Sequence, residues 1–312
     1  MKIFKYFRFS ACTLLLATAS QYAAANASAP VRLLVGFVPG GTSDTVARLL
    51  AEELRGELGR NVIVENKPGA GGRIAAEMLK SSKPDGTTYM FAPDNWAIFP
   101  TLLLPETTLR YNYLKDMAPV AKVISYPLGF YGSQMSGAKD LKEFVELAKK
   151  NKDLTLYASA GTGSITEFLG ILMREKFGVK MTVVPYKGGG EVKTALLGNQ
   201  VAAGIMAPSE ILQFTKERKI TAFGFMTKER WSVAPNIPTL KEQGFDVTQG
   251  EAFMGVWASS KTEASEREKM EKAIKNIVAK DSFRQKVLKT SVYPEFSGSQ
   301  DLDREVKNLL NF

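Results

Sequence analysis

The sequence predicts an α/β protein of two lobes, on three observations. Short β-rich runs alternate with amphipathic helical patterns along most of the chain, which argues for mainly parallel sheets flanked by helices. The 312 residues suffice for two units of roughly 100–150 residues, each with its own core. After two sets of βα units the chain changes character, returning with one strand and then helices only.

Val31–Phe37 reads as a buried strand. Asp44–Leu58 follows as a helix, with Val46, Leu49, Leu50, Leu54 and Leu58 on one face and Gly59 as its stop. Val62–Glu65 is the next strand, Arg73–Ser81 a helix with Ile74, Met78 and Leu79 inward, and Thr88–Ala92 a strand. Three further strand–helix pairs come later: Leu154–Ser159 with Ser164–Phe177, Met181–Tyr186 with Glu191–Leu197, and Val201–Met206 with Glu210–Glu217, before the strand Ile220–Met226. Phe253–Ala258 is the returning strand, followed by helical patterns over Glu263–Lys280, Ser282–Leu288 and Gln300–Leu310. The expected division is a leader at 1–25, a first lobe at 30–124, a second lobe at 125–251 and a return segment of the first lobe at 252–312. The crossings fall near Val123–Leu128 and Gly250–Met254.

Composition excludes whole classes of chemistry. There is no histidine, and the only cysteine is Cys12. That rules out Ser-His-Asp and Cys-His nucleophilic sites, His/Cys zinc sites and CxxC redox chemistry. The formal charge of +9 is spread along the chain, and Lys2, Lys5 and Arg8 supply three of the basic residues. A nucleic-acid binder concentrates its charge in a patch, so no nucleic-acid partner is expected. The cationic start, the short apolar stretch around Leu14–Ala17 and the exit Ala23-Ala24-Ala25 describe a secretory signal peptide cleaved after Ala25 or Ala27. A periplasmic, monomeric protein without membrane insertion follows.

Three strand-to-helix turns carry the candidate site. The first is Phe37-Val38-Pro39-Gly40-Gly41-Thr42-Ser43-Asp44, whose glycines let successive N–H groups and a helix N-terminus converge on an anion. The same turn reads equally as a tight βα loop capped by Ser43 or Asp44. The second is Ala158-Ser159-Ala160-Gly161-Thr162-Gly163-Ser164, and the third Pro185-Tyr186-Lys187-Gly188-Gly189-Gly190. Lys187 brings a fixed positive charge if it faces inward, or is a solvated loop lysine. Ligands of open α/β sheets bind at the carboxyl ends of the strands, so three such turns in two lobes suggest one cleft closed from both sides. No P-loop is present. Gly69-Ala70-Gly71-Gly72-Arg73-Ile74 departs from the dinucleotide fingerprint at Ile74 and reads as a structural turn. No two carboxylates are spaced as an acid/base pair, so no catalysis is expected.

At these turns the chain resembles the Bug-type extracytoplasmic solute receptors related to tripartite tricarboxylate transporters. The resemblance lies in Gly36-Phe37-Val38-Pro39-Gly40-Gly41-Thr42-Ser43-Asp44, Val64-Glu65-Asn66-Lys67-Pro68-Gly69-Ala70-Gly71-Gly72 and Pro84-Asp85-Gly86. It continues through Tyr157–Ser164, Val184-Pro185-Tyr186-Lys187-Gly188 and Asn236-Ile237-Pro238-Thr239, spanning roughly residues 31–300. It implies a type II periplasmic-binding-protein fold, with a hinged cleft that holds a small carboxylate by backbone amides and ordered waters at the first two turns. It also implies delivery to a two-subunit membrane permease, the competing role being a sensor for a membrane signalling protein.

The resemblance has departures. Glu167 stands where the family usually has histidine, Ala207 where it often has aspartate, Ser259–Glu263 replace a PAGTP-like segment, and the chain ends several residues sooner. Glu167 in the cleft would oppose a second ligand carboxylate and favour an amine. Its other reading is a first-turn glutamate favoured by the helix dipole. The expected ligand-binding set is Phe37, Val38, Gly40, Gly41, Thr42, Asp44 and Asn95 in the first lobe, and Ala160, Gly161, Thr162, Gly163, Ser164, Glu167, Tyr186, Lys187, Ala207 and Ser209 in the second. No cofactor or metal is expected.

Overall fold

A computed structural model describes residues 29–105, 108–248 and 250–310. The expected leader at 1–25 lies outside the described residues. Two sheets organise the chain. The first has strand order β11-β4-β10-β3-β1-β2 and the second β7-β6-β8-β5-β9. In the first are β1 (Val31–Val35), β2 (Val62–Asn66), β3 (Thr88–Pro93), β4 (Met117–Pro127), β10 (Glu251–Ser259) and β11 (Tyr293–Gly298). In the second are β5 (Gly129–Ser133), β6 (Leu156–Ser159), β7 (Thr182–Pro185), β8 (Ala203–Met206) and β9 (Ile220–Phe225).

The two-lobe α/β fold is present, with mixed sheets. Strands joined through helices are parallel, as in β1 with β2 and β3, where Leu33 stands opposite Val64 and Tyr89. Strands that enter at the crossings need no helical crossover and run antiparallel, as β10 does to both β3 and β4. β1 sits between two neighbours with helices on both faces, so its sequence is a near-continuous apolar run.

Helices are α1 (Thr42–Leu58), α2 (Arg73–Lys80), α3 (Asn95–Leu103), α4 (Tyr113–Asp116), α5 (Leu141–Lys150), α6 (Ile165–Phe177), α7 (Gly189–Leu197), α8 (Leu212–Lys216), α9 (Ala264–Ala279), α10 (Asp281–Leu288) and α11 (Ser299–Leu310). Helix α1 buries Val46, Ala47, Leu50 and Leu54 and stops at Gly59, whose φ of 61° is the left-handed conformation glycine adopts freely. The return helix α9 buries Met270, Ile274 and Ile277 and packs on α1 and β4.

Three expectations change. In α2 the inward face is Ala75, Ala76 and Leu79, while Ile74 is 44% exposed beside Gly69. Helix α3 was not expected: apart from Asn95 and Thr101 its sequence is apolar, and it contains Pro100, leaving no amphipathic stripe to read. Strand β11 is an edge strand with Pro294 and a bulge before Ser297, features that mask a strand pattern.

The chain passes between the sheets at Leu128 and again at Gly250. Leu128 N–H donates to Gly250 O at 2.6 Å, Met226 N–H to Leu128 O at 2.9 Å, and Gly250 N–H to Met226 O at 2.7 Å. These bonds tie the two crossing points to each other and to the end of β9.

Candidate functional site

The first turn leaves β1 at Val35 and enters α1 at Thr42. Gly36 is required by close approach: a Cβ there would stand 2.6 Å from Gly72 Cα. The helix N-cap is Gly41 rather than Ser43 or Asp44, and makes no side-chain cap bond. Asp44 instead folds back over the loop. It accepts from Gly40 N–H at 3.0 Å, from Asn66 Nδ2 at 2.9 Å and from Arg48 Nε at 3.0 Å. Burial pushes its carboxyl up, but the bonds from Arg48, Gly40 and Asn66 prevail and hold it below the ordinary range. Asp44 therefore stays ionised and shapes the turn.

The second turn is closed internally. Ala160 N–H donates to Thr166 Oγ1 at 2.8 Å, and Gly163 N–H to Glu167 Oε2 at 2.6 Å. Ser164 is the N-cap of α6, its hydroxyl accepting from Glu167 N–H at 3.3 Å. Glu167 thus belongs to a reciprocal capping arrangement. In the third turn Lys187 N–H donates to Glu191 Oε2 at 2.9 Å, the Lys187 side chain is exposed, and Tyr186 packs among Ala158, Val184 and Val192.

The lobes touch at several places, among them the bonds of Ser209 and Glu210 to Thr42. Gly188 faces Phe37 and Val38, and Gly161 lies against Gly71, where Arg73 Nη1 donates to Thr162 O at 3.4 Å. Between them is a cavity of about 60 Å³, far below the roughly 300 Å³ of small ligand pockets. In this arrangement of the lobes the cavity is too small to hold a solute of that size. Of the expected residues, Phe37, Val38, Gly41, Thr42, Asn95, Ala160 and Ala207 line this cavity. Gly40, Asp44, Gly161, Thr162, Gly163, Ser164, Glu167, Tyr186, Lys187 and Ser209 stand outside its lining. Among the residues lining it none is lysine or arginine.

Sequence inspection missed Tyr126, Leu128 and Met254 beside the crossings, and above all Glu210. Glu210 ends the short 3-10 turn Pro208–Glu210 after β8, where the helical pattern suggested a first helix residue. Its carboxylate is enclosed between the lobes and accepts from Thr42 N–H at 2.7 Å and Thr42 Oγ1 at 2.9 Å. Burial raises its pKa, opposed by the Thr42 bonds and by Lys193. No local signal marks it, because its partner is 168 residues away. Behind the first-lobe wall Asp94 is buried with Oδ1 unpartnered, and burial pushes its carboxyl up to about 7. Among the described residues there is no metal-competent cluster and no helix long and apolar enough to cross a membrane.

A two-lobed α/β fold with a cavity between the lobes is the architecture of solute-binding proteins. Residues 46–311 match the model of the tripartite tricarboxylate transporter family receptor, and the chain belongs to that family. It is 33% identical over 248 residues to a protein of Agrobacterium vitis encoded in the TAR-I ttuE-ttuC' intergenic region, covering 80% of this chain and 71% of that one. The solved periplasmic binding protein BugD is 28% identical with a TM-score of 0.84, over 90% of this chain and 94% of its own. MatC from Rhodopseudomonas palustris, solved with bound malate, is 27% identical with a TM-score of 0.81, over 90% and 98% of the two chains.

Proposed function

We propose that this protein is a periplasmic receptor that captures a small organic acid by hinge closure and delivers it to a two-subunit membrane permease, with no catalytic step. The carrying observation is the convergence of two helix N-termini, α1 of the first lobe and α7 of the second, on one point where a carboxylate is already held by Thr42. Partial positive charge and unpaired N–H groups at helix starts favour an anion there without a cationic side chain. Ligand contacts from both lobes would stabilise the closed form over the open one. The malate bound by the relative MatC fits this ligand class. Phe37, Val38, Gly41, Thr42 and Asn95 would face the ligand from one lobe, and Ala160 and Ala207 from the other.

The test is a thermal-shift and calorimetric screen of protein stripped of carried-over ligand by unfolding and refolding. Mono-, di- and tricarboxylates, amino acids and aromatic acids form the panel. A ligand at about 100 times its Kd adds about 2.7 kcal/mol. A saturable, stoichiometric hit is expected among the acids; a stripped, folded protein that binds none of them removes the proposal.

A further inference from the structure

Glu210 belongs to the second lobe, yet its bonds are to the first. The turn that carries it follows β8, whereas Thr42, whose N–H and hydroxyl it accepts, opens α1. Ser209 Oγ lies 2.5 Å from Thr42 Oγ1, so the hydroxyl is held from both neighbouring residues. The other carboxylate oxygen lies at the start of α7: a Cβ added to Gly189 would collide with Oε2, and one on Gly41 would lie 3.2 Å from Oε1. One carboxylate therefore sits between helix N-termini of both lobes, at the point where the first turn converges. Its position needs glycine on either side.

Resting on the carboxylate reading of the cleft, we infer that Glu210 is an internal competitor for the ligand carboxylate. It latches the lobes together from the ligand's own position, and an acid binds by displacing it. The space argues for displacement rather than joint occupancy, because with Glu210 in place only about 60 Å³ remains. A tethered carboxylate acts at an effective concentration of about millimolar or more. The apparent affinity for a free acid falls by the fraction of molecules in which the site is open. Selectivity follows: an acid must offer contacts beyond its first carboxylate to replace one the protein already supplies.

The experiment uses ligand-stripped full-length protein, wild type beside Glu210→Ala and Glu210→Gln, with folding checked by circular dichroism. Small-angle scattering reads lobe closure without any ligand, and calorimetry with malate and acetate as probes reads competition. Wild type is expected to scatter as the closed form and Glu210→Ala as a more open one, with Glu210→Gln between them. Acid affinity is expected to rise tenfold or more in Glu210→Ala. Equal radii of gyration for wild type and Glu210→Ala would overturn the latch. Weaker acid binding in Glu210→Ala would overturn competition, since Glu210 would then be contacting the ligand. A closed wild type with neither probe bound by any form would overturn displacement by these acids while the latch stands, which separates this failure from that of the receptor reading tested on the wider panel.

Discussion

The two walls of the cleft carry turns that look alike in sequence and work differently in the fold. Both are glycine-rich, both link a strand to a helix, and both have an acid four residues after an amide that it accepts: Asp44 for Gly40, Glu167 for Gly163. In the second lobe the acceptors come from the turn and its own helix, with Thr166 taking Ala160 N–H and Ser164 closing the cap. In the first lobe the helix starts at Gly41 with no side-chain cap, and Thr42 N–H is taken by Glu210 from across the cleft. The lesson is that a glycine-rich turn offers an anion site only where its own side chains leave a donor unused. Who supplies the acceptor matters more than the glycines.

The largest effect that would sharpen this contrast concerns charge in the first-lobe wall. Asp94 has a raised folded pKa, so the folded state holds its proton more tightly than the unfolded chain. Its contribution to stability is present below about pH 4 and is lost as pH rises toward 7. A shift from the ordinary value to about 7 corresponds to a loss on the order of 4 kcal/mol. Asp94→Asn should therefore stabilise the protein at pH 8 and flatten the profile between pH 4 and 7. An unchanged urea midpoint across that range would count against a buried neutral carboxyl. Asp44, held low, acts with the opposite sign and in another window, its contribution being lost only as pH falls below about 4.

Next in size is Gly36→Ala, which forces the first turn and the Gly72 backbone apart. Overpacking of this kind costs about 3 kcal/mol, or roughly 6–12 °C in Tm; a melting curve within 2 °C of wild type would mean that the two loops separate freely. Ser164→Ala removes the second-lobe cap and should cost about 1 kcal/mol while leaving acid affinity unchanged. A loss of affinity without a loss of stability would return the second turn to the binding site and break the contrast. The smallest effect is Arg73→Ala. Its bond to Thr162 O is long and exposed, so stability should change by less than about 0.5 kcal/mol, measurable as a nearly unmoved denaturation midpoint.

Much of the fold was legible because it depends on local pattern. The apolar face of α1, its stop at Gly59, and the alternation of strand and helix over Val31–Ala92 and again over Leu154–Met226 follow from periodicity within a few turns of chain. The strands β4 and β5 and the helices α4 and α5 between the two sets went unread, although α5 is amphipathic, and two further elements lack a periodic signature. Helix α3 is mostly apolar in sequence, and β11 is interrupted by Pro294 and a bulge. The candidate cavity lies at the first of the expected turns, and only part of its lining was among the expected residues. Phe37, Val38, Gly41 and Thr42, which line it, were expected because a glycine-rich strand–helix junction has a recognisable sequence. Tyr126, Leu128 and Met254 were not named as site residues, although the expected crossings at Val123–Leu128 and Gly250–Met254 contain them, because no local pattern shows that a crossing strand turns its side chains into the cavity.

Taken alone, the amino-acid sequence determined the absence of histidine chemistry, the two-lobe α/β class and the position of the glycine-rich turns, all of which rest on composition or on contacts within a short stretch. Only the tertiary structure decided how those turns are used. Glu167 is an acceptor for its own turn, Lys187 projects away from the cavity, and Glu210 reaches the start of α1. The reason is physical: hydrogen-bond satisfaction is settled by whichever acceptor arrives in space, and the one that meets Thr42 comes from a strand end 168 residues along the chain.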